Sequence, residues 1–534
     1  MRAAGSLERL FTCALIALAL DGCAAGAGAQ RDPGTIVSLT RVDGATMNPM
    51  FGQTVQDGIV YPQIIFESLS YIGADYLPHP RLATSWTHSA DGLQWTVDLR
   101  HGVRWSDGAP FTSKDVVFTY DALIDPQTAS INAGDMVYIK RVTGDGPFRV
   151  HFTLAYPSAV FTLVGMGFEA SILPEHILGR VPHDRLRFSA FGEHPVGTGP
   201  YRLLRWQHDS ETIFVPNPYA WRKPHIARFD VRTIFNDQAQ TDAMANGSAD
   251  LVDDTGSTVY QQLERIAPKV KLLTFPSVYI DVTLPNTRRP GLDDVIVRRA
   301  MMYGNNRQAL ISGFFQDKVP LPDGLVPVGL THWHNGHVAQ YPYDPVKARA
   351  MLDADGWRVG PDGVRRRGNA RLAFELLINQ GSAILTDADL EFTADMKAIG
   401  IEVALREMDF PSMVAREFKG DFDLISEGFG GSVDPDMTAN LATSSIPPAG
   451  QNTGAFHDPV LDRLMKAGLT ELDDGKRRAI YNEMQREIAD KVPMLYQWTR
   501  FAGTAYSAHL VLDPKTTLQQ PLLYYNIEDW KTAQ

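Results

Sequence analysis

The chain has 534 residues, 44% of them hydrophobic, with 62 acidic against 50 basic side chains. That length exceeds what one core can bury and calls for two or three lobes. The acidic balance excludes a basic phosphate-binding face, and with it a nucleic-acid partner. Both cysteines, Cys13 and Cys23, stand at the N-terminus, so the body has neither a disulfide nor a cysteine metal site. Arg2 and Arg9 precede the apolar run Leu10 to Leu20, which is too short to span a bilayer and reads as a secretory leader over 1–29. Two cleavage readings stay open. Leu20-Asp21-Gly22-Cys23 is a lipobox with an ill-fitting Asp21, and would leave Cys23 lipidated. Ala27-Gly28-Ala29 is an ordinary A-x-A site. Either places the body outside the cytoplasmic membrane, with contact to the membrane only through that lipid.

Thr35 to Thr40 reads as the first strand, and Asp57 to Leu69 as helix-like. Gln94 to Arg100 alternates Trp95, Val97 and Leu99 with polar residues, the pattern of a half-buried strand. Ala90-Asp91-Gly92 and His101-Gly102 turn the chain on either side of it. Val103 to Trp105 is expected as a further short strand. Thr112 and Asp115 have capping-box spacing for a following helix.

Taken together, Pro80 to Asp121 resembles the family 5 solute-binding proteins of ABC importers, the peptide and nickel class. The resemblance rests on Pro80, Leu82, Ala83, Ser85, Trp86, Asp91, Gly92, Leu99, Arg100, Gly102, Val103, Trp105, Asp107, Gly108, Pro110, Thr112, Asp115 and Val116. It implies an α/β fold, a class II-type periplasmic-binding-protein clamshell whose first lobe carries an inserted subdomain. It also implies a permease as partner and hinged capture of a solute. In the same family Ala45-Thr46-Met47-Asn48-Pro49 would be a loop facing the cleft, and Val196-Gly197-Thr198-Gly199-Pro200-Tyr201 the corner where the inserted subdomain rejoins the lobe. The expected divisions are 30–60, 195–278 and 500–534 for lobe I, 61–194 for the inserted subdomain and 279–499 for lobe II.

Farther along, Gln238 to Ala245 reads as a helix and Ser277 to Leu284 as a strand with a polar intruder, Asp281. The proline-bounded link Pro285 to Pro290 is the first expected crossing between lobes. Asp294 to Tyr303 is a helix. Asp344-Pro345 and Asp458-Pro459 each start another, with aspartate as the cap and proline in the first turn. From Leu372 to Ile425 strands alternate with helices, as crossover connections require. Arg477 to Ala489 is a late helix, and Met494 to Trp498 the expected return crossing.

The resemblance also locates a departure. Peptide-binding relatives anchor the ligand amine with an aspartate three residues before an Asp-Pro pair. Here the pair is Asp434-Pro435 and the anchoring place holds Gly431, with Gly428 where tryptophan is usual. The arginine that takes a dipeptide's carboxylate falls near Asn379 and Gln380, both neutral. A glycine forms no charge-assisted bond, so a zwitterionic dipeptide lacks both usual partners. Longer, blocked or uncharged ligands, oligosaccharides included, stay open. Candidate contacts are Asn48, Asn379, Gln380, Phe429, Gly431, Asp434 and Trp498. Asp281 and Glu427 are alternative amine partners, and Tyr496 is expected in the core. His332, His334 and His337 cluster in THWHNGH without a nearby carboxylate, so no metal and no cofactor are expected. No G-x-S-x-G, HExxH or nucleophilic cysteine supports a hydrolase. The expected protein is a monomeric receptor that compacts on ligand binding, with a sensor or chaperone of the same fold as the other reading.

Overall fold

The computed structural model describes residues 32–380, 383–516 and 522–533. The leader, with Cys13, Cys23 and Ala29, lies outside them. Fourteen strands carry the architecture described below: β1 (Thr35–Thr40), β2 (Ala83–His88), β3 (Gln94–Leu99), β4 (Ile139–Gly144), β5 (Arg149–Leu154), β6 (Tyr201–Gln207), β7 (Glu211–Pro216), β8 (Arg228–Thr233), β9 (Leu251–Thr255), β10 (Lys271–Pro285), β11 (Ala373–Asn379), β12 (Glu402–Met408), β13 (Leu424–Gly430) and β14 (Leu495–Tyr506). Ten of them form one sheet in the order β12-β11-β13-β10-β14-β9-β1-β8-β7-β6.

The centre of that sheet is the antiparallel pair β10 and β14. They pair from Lys271–Tyr506 to Pro276–Phe501, lose register, and pair again from Ile280–Thr499 to Thr283–Leu495. On one side of the slip β1 runs parallel to β8 and β9. On the other side β11 runs parallel to β12 and β13. The result is two lobes joined through two long strands, a clamshell. The crossing therefore lies inside the strands. The 285–290 link is not a crossing: Asn286 N–H donates to Asp423 O at 2.9 Å and Thr287 N–H to Gly454 O at 2.8 Å, which fix it within the second lobe.

Strands β2, β3, β5 and β4 make a separate antiparallel sheet in the inserted stretch. Its inward side chains Val97 and Phe152, together with Trp105 and with Tyr120 of the following helix, share one apolar cluster with Ile36, Phe229 and Trp530 of the first lobe. A second cluster fills the other lobe, with Ile280, Met301, Leu376, Phe392 and Tyr496 among its members. Trp95, Val97 and Leu99 point inward as their alternation requires.

The helices that bear on the site are α1 (Ser113–Ile124), α2 (Asp237–Ala245), α3 (Ser257–Ile266), α4 (Arg307–Phe315), α5 (Pro345–Ala354), α6 (Ala383–Ala398), α7 (Phe410–Lys419), α8 (Pro459–Thr470) and α9 (Asp474–Lys491). At α1 the Thr112 hydroxyl accepts from Lys114 N–H, and Asp115 accepts from Thr112 N–H at 2.8 Å. Asp344 and Asp458 cap α5 and α8 with proline in the first turn. Two expectations fail locally. The helical stretch 56–65 stops short of Leu69 because Phe66 turns extended, φ −111° and ψ 171°. The stretch 103–105 has only an isolated bridge from Arg104 to Pro110 instead of a strand.

The lobes also touch away from the crossing. Gln261 Nε2 on α3 donates to Phe314 O on α4 at 3.4 Å, and Lys318 pairs with Glu264 at 2.7 Å. Ala159 N–H of the inserted stretch donates to Leu469 O at the end of α8, 2.8 Å. The Thr112 cap gives a direct test of local stability. Thr112→Ala should lower the unfolding free energy by about 1 kcal/mol in urea denaturation, and an unchanged midpoint would mean the cap bonds contribute nothing net.

Candidate functional site

The strand registers place a cleft before any side chain is considered. Thr255 ends β9 opposite Gly503, and Gly430 ends β13 opposite Tyr279. The carboxyl ends of the parallel strands in both lobes thus point toward the slip in the central pair. Thr40, Thr233 and Thr255 end strands on one side, and Asn379, Met408 and Gly430 on the other. In open α/β sheets the crevice beyond the carboxyl ends is where ligands bind.

The second-lobe wall is polar and mostly self-satisfied. Asp281 on β10 is buried, and its carboxylate accepts from Arg500 of β14 at 2.8 Å. The half-exposed Arg500 guanidinium stands 5.5 Å from the Tyr279 ring. This pair explains the polar intruder in an otherwise apolar strand. Gly428 is opposite Asp281 in the ladder, and a Cβ there would stand 2.1 Å from the Arg500 guanidinium, which would have to move aside. Gly430 and Gly431 have φ of +111° and +92°, backbone that favours glycine. A Cβ on Gly431 would lie 2.6 Å from the Tyr279 ring. An anchoring aspartate at 431 would be both strained and blocked with Tyr279 in place.

Two acidic groups of the second lobe are shifted. Burial pushes the Asp389 carboxyl on α6 up to about 7, with the Ser426 hydrogen bond opposing and Asp281 adding to the rise. Its Oδ2 has no hydrogen-bond partner among the described residues. Burial and the neighbouring Glu417 carboxyl push Glu427 up to about 8.

The expected contact residues are not all brought together. Asn379, Gln380, Phe429 and Gly431 stand at the carboxyl edge of the second lobe, with Gln380 exposed and Phe429 half-buried. Asn48 is buried in its own turn, where its side-chain oxygen accepts from Met50 N–H at 3.2 Å. Trp498 is buried, 3% exposed, with its ring 6.4 Å from that of Phe315 on α4. Asp434 is 5% exposed and spends both oxygens on Arg477 of α9, at 2.7 and 2.9 Å. It therefore holds the loop after β13 against α9 and does not open into the cleft. Tyr496 lies in the core at 1% exposure. His332 and His334 bind separate carboxylates, Asp474 and Asp323, and no group of three or more metal-binding side chains occurs among the described residues. Sequence reasoning passed over Tyr279, Arg500 and Asp389. Asp281 was the available signal, since a buried charge in a central strand needs a partner.

Residues 78–450 match the family model of bacterial extracellular solute-binding proteins, family 5 middle. The chain belongs to this family. Among curated relatives, it is 26% identical over 467 residues to the oligopeptide-binding protein AppA of Bacillus subtilis, covering 85% of this chain and 83% of that one. It is 27% identical over 445 residues to di/tripeptide-binding protein 2 of Pseudomonas aeruginosa, covering 78% and 80%. The structure of the Bacillus subtilis AppA in complex with a nonapeptide superposes with a TM-score of 0.74, at 22% identity, over 94% of this chain and 99% of that one. The NikZ structure from Campylobacter jejuni in complex with Ni(L-His) gives 0.77, also at 22% identity, over 94% and 100%. At that identity the two structures establish the clamshell fold alone.

Two outcomes follow from this geometry. Arg477→Met leaves a buried carboxylate without its partner and should cost about 3–5 kcal/mol in urea unfolding. Pairing it with Asp434→Leu should restore much of that loss, and equal losses in both variants would mean the ion pair is not what holds the loop. The second concerns pH. Asp389 and Glu427 are raised, so the folded protein keeps protons that the unfolded chain releases near pH ~4. Their contribution is fully present below that value and is lost as pH rises through about 7 and about 8. The doubly substituted Asp389→Asn/Glu427→Gln protein should therefore lose less melting temperature than the parent between about pH 5 and about pH 9. Parallel curves would overturn the assignment.

Proposed function

We propose that this protein is the extracytoplasmic receptor of an ABC importer, which captures an oligopeptide-like solute by closing its two lobes and delivers it to a membrane permease. The observation that carries this is the facing of two carboxyl edges across one continuous strand pair, a geometry that closes on a ligand rather than turning it over. Curated relatives named as oligopeptide- and di/tripeptide-binding proteins support the peptide class. Family membership is that of binding proteins, and the receptor role requires no catalytic group. The leader over 1–29 serves export in either cleavage reading, and Cys23 is the lipid attachment point in the lipobox one. No described helix is long and apolar enough to cross a membrane.

A second reading, an oligosaccharide or other non-peptide solute, is favoured by one feature. The Tyr279 ring and the strained backbone leave position 431 without a carboxylate for a peptide amine. The divisions that suit hinged closure are 30–60, 195–278 and 500–534 for the first lobe, 61–194 for the insertion and 279–499 for the second lobe. We expect a monomer whose radius of gyration falls on ligand binding in small-angle scattering.

Thermal unfolding of the mature chain from Gln30 separates the readings. Ligand at about a hundred times its dissociation constant adds about 2.7 kcal/mol of stability. Mixed oligopeptides should raise the midpoint and neutral oligosaccharides should not. A shift with sugars alone would replace the peptide reading with the second one, and a stable dimer unchanged by ligand would overturn the hinged receptor.

A further inference from the structure

A pocket of about 420 Å³ opens at the carboxyl edge of β1 in the first lobe, across the cleft from the wall described above. Leu39, Val252 and Leu523 give it apolar lining, and Arg41 stands at its edge. Gln56 and Gln240 also line it, and both are almost fully buried, at 4% and 1% exposure. Each carries a side-chain oxygen with no hydrogen-bond partner among the described residues. Buried acceptors without partners are uncommon because each costs the desolvation of its oxygen.

The orientation of the Gln240 amide is fixed by its other end. Gln240 meets the Ile234 carbonyl at 2.7 Å. A carbonyl only accepts, so the group facing it is Nε2 and the oxygen is the one left over. The Thr40 hydroxyl donates to Val42 O at 3.1 Å. In that arrangement it accepts from Gln56 Nε2, 2.6 Å away. Gln56 reaches the pocket from the helical stretch after β1, and Gln240 from α2, which follows β8. Strands β8 and β9 flank β1 on either side, so the two acceptors come from the connections around one switch point in the strand order.

The charge balance narrows what fits. Arg41 at the pocket edge is paired with Asp237 at 2.7 Å. The Asp57 carboxylate beside Gln56 is taken by the N–H groups of Ala45 and Thr54 and by the Thr54 hydroxyl. An ammonium would enter without a counter-charge, and a carboxylate would meet two carbonyl oxygens. A neutral N–H donor on a short apolar stem meets neither penalty.

We propose that this pocket is a ligand subsite for an uncharged N–H-bearing group of the carboxamide class, such as a glutamine side chain of a bound peptide, with Gln56 and Gln240 as its specificity-determining acceptors. The inference rests on the peptide reading and assigns it a preference. The test is calorimetric titration of the mature chain with alanine-based pentapeptides carrying glutamine, glutamate, lysine or leucine at each position in turn. At one position glutamine should bind about tenfold more tightly than leucine, the worth of a satisfied buried acceptor, and more tightly than glutamate or lysine. Gln56→Leu should remove the advantage of glutamine over leucine. Gln56→Glu keeps the shape, and the Thr40 hydroxyl can turn to donate to it, so that variant should change the preference from glutamine to lysine. Peptides that bind without a glutamine preference, or a preference that both variants leave unchanged, would overturn the subsite and leave the receptor reading standing. Binding by no peptide would overturn both.

Discussion

The structure depends on one antiparallel ladder. Strands β10 and β14 run through both lobes, and every other strand of the large sheet joins on one side or the other of the place where their register slips. A ladder in register resists bending because its backbone hydrogen bonds would have to break. The slip between Pro276 and Ile280 already lacks regular pairing, so movement there sacrifices little. The same pair sets the direction of its neighbours, and so aims the carboxyl ends of both parallel sets at the joint. Hinge and cleft are two results of a single pairing pattern.

Charge in the second lobe is arranged sparingly. Asp281 is paired with Arg500 at 2.8 Å, while burial raises Asp389 to about 7 and Glu427 to about 8. Burying an unpaired carboxylate is so costly that protonation is the cheaper state. These positions therefore carry less charge than their residue names suggest. The Asp434–Arg477 pair works at the next layer out. Arg477 also donates to Gly468 O at 2.8 Å and lies 4.9 Å from the Trp333 ring, so the turn after β13 is tied to the late helices and holds its shape beside the joint.

Much of the fold could be read from local chemistry. The cap at Thr112, the Asp-Pro starts at 344 and 458 and the alternation at Trp95, Val97 and Leu99 are local signals, and the structure follows them. The crossing could not be read this way, because the link at 285–290 has the composition of a hinge while its hydrogen bonds to Asp423 and Gly454 are long-range facts. The cleft divides along the same line. Gly431 marked a departure from a pattern, yet the reason for it, the ring of Tyr279 from a neighbouring strand, needs the ladder. Asp434 looked like a cleft residue because of its sequence neighbours, and Arg477, forty-three positions away, decides otherwise. Gln56 and Gln240 carry no sequence signal at all. Only burial with an unanswered oxygen sets them apart.

The double passage through the joint also orders the birth of the molecule. The second lobe is built from one continuous stretch between the two crossings, and its core draws chiefly on residues from Val278 to Tyr496. The first lobe is different. Its sheet has β14 between β9 and the opening half of β10, and its core includes Tyr524, Ile527 and Trp530. Until those last residues emerge, the two parts of that sheet have no strand to join them. A chain appearing from its N-terminus therefore completes the enclosed lobe before the lobe that encloses it. The portion made first stays longest in an unfinished state, the state in which a protein bound for the far side of a membrane can still be threaded.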